Sequence, residues 1–263
     1  MSDTPDLITI TSENIGDYPG LSCFMNPKQE GAKTRADWIR ERLSEGLTIR
    51  LLYHPGTGKT VGYIEYVPGE YAWRAVDAAD YLFIHCIWVY PKPSRELGNG
   101  SRLVQACIED AGRAGKLGVA VIASEGPFMA AKALFLKNGF SVTEEAPPSY
   151  SLLVHPLKKG PLPKFRDWRL RLSEYEGLYL VYANQCPWVA RSVGEITKIA
   201  SELGVVLKVT ELKTAADAQD APSVYGIFSL IYNGKLLADH YISATRFRNI
   251  LKKEIPGMEK KSR

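Results

Sequence analysis

The sequence predicts two α/β units in tandem: a mixed sheet with helices, then a smaller layer with the order β-α-β-α-β-β-α. Three observations point there. Runs rich in β-branched and aromatic residues alternate with amphipathic segments, over a length of 263 residues that is typical of two domains. A strand, glycine loop and helix are legible in Phe83–Ser101, FIHCIWVYPKPSRELGNGS. A break of lysines and prolines, Lys158-Lys159-Gly160-Pro161-Leu162-Pro163-Lys164, divides two stretches of regular patterning.

In the first stretch, Leu7–Thr11 reads as a strand. Ala32–Glu45 is helical, with Trp38, Ile39, Leu43 and Leu47 on one face and Gly46 as its stop. Arg50–Tyr53 and Val61–Val67 are strands joined by a hairpin turn over Gly56-Thr57-Gly58-Lys59-Thr60. That turn is not a P-loop, because the motif needs a glycine five residues before Gly58, where Tyr53 stands. A loop, Gly69–Ala79, leads to the central strand Tyr81–Val89. Ser101–Gly115 is a helix, Val119–Ser124 a strand, and Pro127–Asn138 a helix ended by Gly139. Phe140–Val142 and Tyr150–Val154 complete the sheet.

Beyond the break the pattern restarts. Leu178–Tyr182 is a strand, Pro187–Leu203 a helix and Val205–Leu212 a strand. A short polar helix spans Thr214–Ala221. Tyr225–Tyr232 and Leu236–Tyr241 form a hairpin over Asn233-Gly234, and Thr245–Lys253 is the last helix. The expected domains are 1–157 and 167–263, with 158–166 as linker and a basic tail, Lys252–Arg263, at the end.

Composition narrows the function classes. An apolar content of 45% with 24% charged residues is that of a globular protein. No apolar run reaches the roughly 18 residues of a membrane helix, and MSDTPDLITI lacks the basic and apolar regions of a signal peptide. Cys23, Cys86, Cys107 and Cys186 lie far apart without a C-x-x-C pair, which suits reduced thiols in the cytoplasm. A net charge of +4, partly in the tail, gives no nucleic-acid signature. No His/Cys/Asp cluster has zinc spacing, so no metal is expected.

The chemistry is carried by Arg95-Glu96-Leu97-Gly98-Asn99-Gly100 and the helix after it. Glycines let the backbone approach an anion, amides converge on it, and a helix N-terminus adds partial positive charge. Arg95 stands where it can reach a phosphate. The spacing is not the dinucleotide fingerprint G-x-G-x-x-G. About thirty residues on comes a second motif, Ala131-Lys132-Ala133-Leu134-Phe135-Leu136-Lys137-Asn138-Gly139-Phe140.

The two motifs together resemble the GCN5-related N-acetyltransferase (GNAT) superfamily over roughly residues 5–155. Its acetyl-CoA loop has the form V-x-P, a spacer, then Q/R-x-x-G-x-G/A, here Val89-Tyr90-Pro91 and Arg95–Gly100. Its following motif, A-x-x-L-Y-x-K-x-G-F, is matched by Ala131–Phe140. Three departures stand out. The spacer is one residue longer, Glu96 occupies a common glycine position, and Phe135 replaces the tyrosine that often protonates the leaving thiolate.

The second half resembles the thioredoxin fold in its element order and in Gln185-Cys186-Pro187-Trp188-Val189, where Val189 replaces the second cysteine of C-P-x-C. The whole layout looks like bacterial acetyltransferases with a YoaP-like C-terminal domain. The helix start at Pro187 is expected to lower the pKa of the Cys186 thiol, which makes it a redox candidate.

The resemblance implies an acetyl-CoA-dependent N-acetyltransferase that moves an acetyl group directly to an amine of a small molecule or peptide. Ile87, Trp88 and Val89 would hold the pantetheine arm. Arg95, Glu96, Leu97, Gly98, Asn99, Gly100 and Ser101 would hold the diphosphate, with Lys132 and Phe135 beside it. His85, Glu65 and Glu125 are the candidate bases, His85 sharing strand parity with Ile87 and Val89 and lying opposite Cys86. The alternatives are a CoA-binding sensor without turnover and a thiol-redox protein working through Cys186. Acetyl-CoA and an amine acceptor are the expected partners, with no nucleic acid or membrane and with a homodimer allowed.

Overall fold

The computed structural model describes residues 4–126 and 129–255. The chain forms two compact units. The first comprises residues up to Leu21, Ile39–Ala72 and Val76–Phe165. The second gathers Ser22–Trp38, Trp73–Ala75 and the residues from Arg166 onward.

In chain order the first unit contains β1 (Asp6–Thr9), the end of α1 (Glu30–Leu43), β2 (Thr48–His54), β3 (Lys59–Pro68) and β4 (Val76–Asp77). Then come β5 (Tyr81–Val89), α2 (Lys92–Glu96), α3 (Asn99–Arg113), β6 (Gly118–Ser124), α4 (Lys132–Lys137), β7 (Ser141–Ala146), β8 (Tyr150–Pro156) and β9 (Lys164–Phe165). Seven strands make one mixed sheet in the order β1-β2-β3-β5-β6-β8-β7. β5 and β6 pair in parallel, and the other ladders of this sheet are antiparallel. The hairpin between β2 and β3 turns through Gly58 at a φ of 66°, as its sequence predicts.

α3 is amphipathic, and its Leu103, Val104, Cys107, Ile108 and Ala111 bury against Ile64, Ile84, Val89, Val119 and Val121 of the sheet. Behind this face Arg50 Nη2 meets Asp110 Oδ2 at 2.7 Å, and the Tyr66 hydroxyl also donates to Asp110. These bonds bind the last turns of the helix to β2 and β3.

Several element ends shift by a few residues from the sequence reading, β7 (expected at Phe140–Val142) and α1 (expected at Ala32–Glu45) among them, and three differences go further. The Pro-rich turn after Val89 contains the short helix α2, because Pro at the start of a helix loses no needed N–H. α4 begins at Lys132, while Pro127, where the sequence predicts its start, lies outside the described residues. The predicted linker is fastened along the first unit. Lys158 Nζ donates to the Gly115 carbonyl at 2.7 Å. A Cβ at Gly160 would lie 2.5 Å from a Leu117 methyl. β9 pairs with β4.

The second unit contains α5 (Trp168–Leu172), β10 (Leu178–Tyr182), α6 (Pro187–Glu202), β11 (Leu207–Glu211), α7 (Ala215–Gln219), β12 (Phe228–Tyr232), β13 (Lys235–Ala238) and α8 (Ala244–Glu254). The sheet order is β11-β10-β12-β13, with β10 and β11 parallel and the rest antiparallel. From β10 onward this is the element order read from the sequence. Asn233 and Gly234 turn the β12–β13 hairpin at φ of 47° and 74°. Thr214 and Asp217 form a capping box at α7. Residues 256–263 of the basic tail lie outside the described residues.

Segments distant in sequence complete this unit. Arg74, almost fully buried, donates to Gln185 Oε1 at 2.6 Å and lies over the Tyr225 ring at 5.0 Å. Trp38 and Trp73 meet edge to face at 5.2 Å.

Candidate functional site

The site begins with a parting of two strands. β5 and β6 pair from Tyr81↔Gly118 to Ile84↔Val121 and no further. β5 continues to Val89, held on its other side by β3, and β6 continues to Ser124, held by β8. Each strand is therefore anchored from outside, and the β5–β6 ladder ends at Ile84 and Val121. Ile87 and Trp88 are half-buried along this opening.

The glycine loop adjoins the end of β5. Arg95 Nε donates to the Val89 carbonyl at 2.8 Å, which folds the loop back on the strand. Asn99 Nδ2 donates to the Ser94 carbonyl at 3.0 Å and fixes the step from α2 to α3. Gly98 holds the left-handed conformation, φ 76°, with open space where a Cβ would stand. The Arg102 amide makes the bond to the Gly98 carbonyl, 3.0 Å. The amides of Asn99, Gly100 and Ser101 precede that bond and have no partner within the helix. Glu96 and Leu97 are exposed.

α4 is docked on this helix start. A Cβ at Gly100 would lie 3.1 Å from Leu134 Cδ1. Asn138 Nδ2 donates to Ser101 Oγ at 3.1 Å and to the Leu134 carbonyl at 2.7 Å. The two sequence motifs thus meet, and Asn138, which the sequence reading did not single out, is the tie. Phe135 points into the core, fully buried, with its ring 5.5 Å from Phe140.

The candidate bases fall into two groups. Glu65 and His85 are fully buried as side chains, with His85 Nδ1 3.2 Å from Glu65 Oε1. The Tyr63 hydroxyl donates to Glu65, and the Tyr63 ring stacks on Trp88 at 5.7 Å. Tyr63 is not among the candidates read from the sequence; its spacing of two from Glu65 on one strand is the available signal.

The expected parity of His85 is corrected. The β3–β5 register pairs Glu65 with Cys86 and Tyr66 with Ile84, so His85 is the extra residue of a β-bulge. The bulge breaks the alternation. Ile84, Ile87 and Val89 face α3, whereas His85 lies with Phe83 and Glu65 on the other face.

Glu125 follows β6 directly and is exposed. It lines a pocket of about 390 Å³ with Lys132, Glu145, Ser149, Tyr150 and Ser151. Two predicted site residues, Glu125 and Lys132, therefore share one cavity.

Cys186 caps the N-terminus of α6. Burial pushes its thiol up to about 11, and Cys23 acts in the same direction; the amides of Trp188 and Val189 and the charge of Arg35 oppose this without reversing it. The expectation of a lowered thiol pKa is overturned, because desolvation exceeds the stabilisation from the helix start. Among the described residues no group of three or more His, Cys, Asp or Glu could hold a metal, and no described helix is long and apolar enough to cross a membrane.

The loop suits a diphosphate. Three helix-start amides, a glycine with open space before them and an arginine beside them form an anion cradle. Residues 18–140 match the model of the acetyltransferase (GNAT) family, and residues 207–249 match the YoaP-like model. A curated relative from Bacillus subtilis (strain 168), described as an uncharacterized N-acetyltransferase, YoaP, is 27% identical over 251 residues, 93% of this chain and 97% of the relative. Among solved structures, the GNAT family N-acetyltransferase YhbS from Escherichia coli in complex with CoA is 14% identical with a TM-score of 0.44, over 64% of this chain and 92% of that one. The aminoglycoside antibiotic 6'-N-acetyltransferase AAC(6')-Ih from Acinetobacter baumannii is 21% identical with a TM-score of 0.43, over 54% of this chain and 93% of that one.

Proposed function

We propose that this chain, whose residues 18–140 match the acetyltransferase (GNAT) family model and whose residues 207–249 match the YoaP-like model, transfers an acetyl group directly from acetyl-CoA to an amine of a small molecule or peptide. GNAT acetyltransferases use acetyl-CoA. The observation that carries the reading is the parting of β5 and β6 beyond Ile84 and Val121, with the amides of Asn99–Ser101 next to its end.

The residues divide the work. The first-turn amides of α3 and Arg95 bind the diphosphate, and the glycines keep the approach clear. The backbone of Ile87–Val89, beyond the point where β5 and β6 part, orients the pantetheine arm, so much of the rate comes from positioning. Glu125 is the proposed base, because it alone of the three candidates is exposed. An amine is protonated in water, and Glu125 and Glu145 in one pocket suit a cationic acceptor. Glu65 and His85, closed off from solvent, are positioning residues that set Tyr63 and through it Trp88. Phe135 offers no proton, so the thiolate leaves with a proton from water or another donor. The proposed domains are 1–157 and 167–263, in a cytoplasmic protein.

The test is thiol release from acetyl-CoA over a panel of amines, peptides and aminoglycosides, beside calorimetric CoA binding. Turnover with a cationic amine that collapses in Glu125→Gln, with CoA affinity kept, supports the assignment. CoA binding with no turnover on any amine would leave a CoA-binding protein without transfer.

A further inference from the structure

We propose that Cys23 and Cys186 are a thiol pair, a modification site at which a low-molecular-weight disulfide closes an intrachain Cys23–Cys186 bond. The sequence gives Cys186 no partner nearby, since Val189 stands where a second cysteine would be. The fold of the second unit supplies one from the distant stretch Ser22–Trp38.

Several observations bring the two together. Trp188, in the first turn of α6, donates from its indole Nε1 to the Cys23 carbonyl at 3.1 Å. Gly31 lies against the same turn, where an added Cβ would stand 2.4 Å from the Pro187 carbonyl oxygen, an approach only glycine permits. Cys23 and Phe24 hold φ of 48° and 65°, a conformation L residues rarely adopt, so this turn is fixed by its surroundings. Both thiols are half-buried and reduced.

The exchange balances with an oxidant RSSR. Cys23 loses its proton and its thiolate attacks one sulfur of RSSR. A Cys23–S–S–R bond forms, the S–S bond of the oxidant breaks, and RS⁻ leaves and takes up the proton. The Cys186 thiolate then attacks the Cys23 sulfur and expels the second RS⁻, which takes up the Cys186 proton. Two protein thiols are oxidised by two electrons, and RSSR is reduced to two RSH. The bond ties the turn at Cys23 to the start of α6.

The experiment treats the full chain with oxidised glutathione, removes the excess, digests without reductant and reads the peptides by mass spectrometry. The expected result is a cross-linked pair containing Cys23 and Cys186, lighter by two hydrogens than the two reduced peptides together, and reversal by dithiothreitol. Cys107, fully buried, and Cys86, exposed on β5, serve as internal controls. Cys23→Ser and Cys186→Ser are each expected to lose the cross-link and to retain one glutathione on the remaining partner. Separate glutathionylation of both cysteines in the unsubstituted chain, a cross-link to Cys86, or no reaction at either cysteine would overturn the proposal. Should a variant fail to fold, the unsubstituted chain still decides.

Discussion

Nδ1 of His85 lies 3.2 Å from Oε1 of Glu65, and neither side chain reaches solvent. A bulge in β5 produces this contact by turning His85 to the face that carries Glu65. The Tyr63 hydroxyl donates to the same carboxyl, so this acid on an interior strand has a hydrogen-bond donor on one side and an imidazole on the other. A buried acid persists only when such partners offset its desolvation.

Glu65→Ala removes the acceptor of the Tyr63 hydroxyl and the carboxyl beside His85. The expected loss of stability is about 3 kcal/mol, the range for breaking a buried polar network. Urea denaturation checks it. A midpoint within experimental error of the parent would mean that the contact is not needed by the fold.

At the glycine loop, charge and backbone strain separate cleanly. Gly98 has a φ of 76°, which Asn tolerates better than most residues. Gly98→Asn is expected to keep CoA binding, and Gly98→Asp, of nearly the same shape, to weaken it about tenfold, ~1.4 kcal/mol. Equal losses in the two variants by calorimetry would assign the effect to strain and detach the loop from the diphosphate.

Phe135 stands where related acetyltransferases often carry a tyrosine acid, so Phe135→Tyr tests whether that position can serve as one. The ring is fully buried against Phe140, so the hydroxyl enters a packed core. The expected outcome is a loss of about 2 kcal/mol in stability with no gain in turnover. A faster variant with an unchanged melting temperature would restore the acid role.

Asp110 links α3 to Arg50 and Tyr66. Burial pushes its carboxyl up, but the bonds from Arg50 and Tyr66 and the charges of Arg50 and Arg113 outweigh it, so its pKa is lowered. A lowered pKa in the folded state means stability that is fully present above the ordinary carboxylate range and lost as pH falls through the folded value. Asp110→Asn is therefore expected to cost about 2 kcal/mol at neutral pH, with the gap to the parent closing below about pH 4. A gap that persists unchanged to acid pH would show that the charge contributes nothing.

The Cys186 thiol is expected to alkylate with a midpoint near 11, set by burial and by Cys23 against the amides of Trp188 and Val189 and the charge of Arg35. Iodoacetamide labelling of the Cys186 peptide across pH checks it. A midpoint below about 8.5, that of an unperturbed thiol, would show that the helix start dominates after all.

Much of the fold could be read locally. Tyr81–Val89 and Leu178–Tyr182 are strands over the very residues the sequence predicts, because their runs of β-branched and aromatic residues have only one period to satisfy. The Asn233-Gly234 turn and the glycine loop were legible because left-handed φ is a property of single residues. Two short helices were not. α2 and α5 have five residues each, too few for a period, and are held by what surrounds them.

The sequence by itself determined the two strand-and-helix patterns, the paired motifs and the break between them, all of which are written in neighbouring residues. Tertiary structure decided the rest. It chose the face of His85 through one extra residue in β5, buried Phe135, placed Glu125 beside Lys132, and brought the stretch around Cys23 to Cys186. It also set the Cys186 thiol high, because a pKa depends on how much water and charge surround a group. These outcomes depend on strand register, on packing and on contacts between residues far apart along the chain, and no local pattern encodes any of the three.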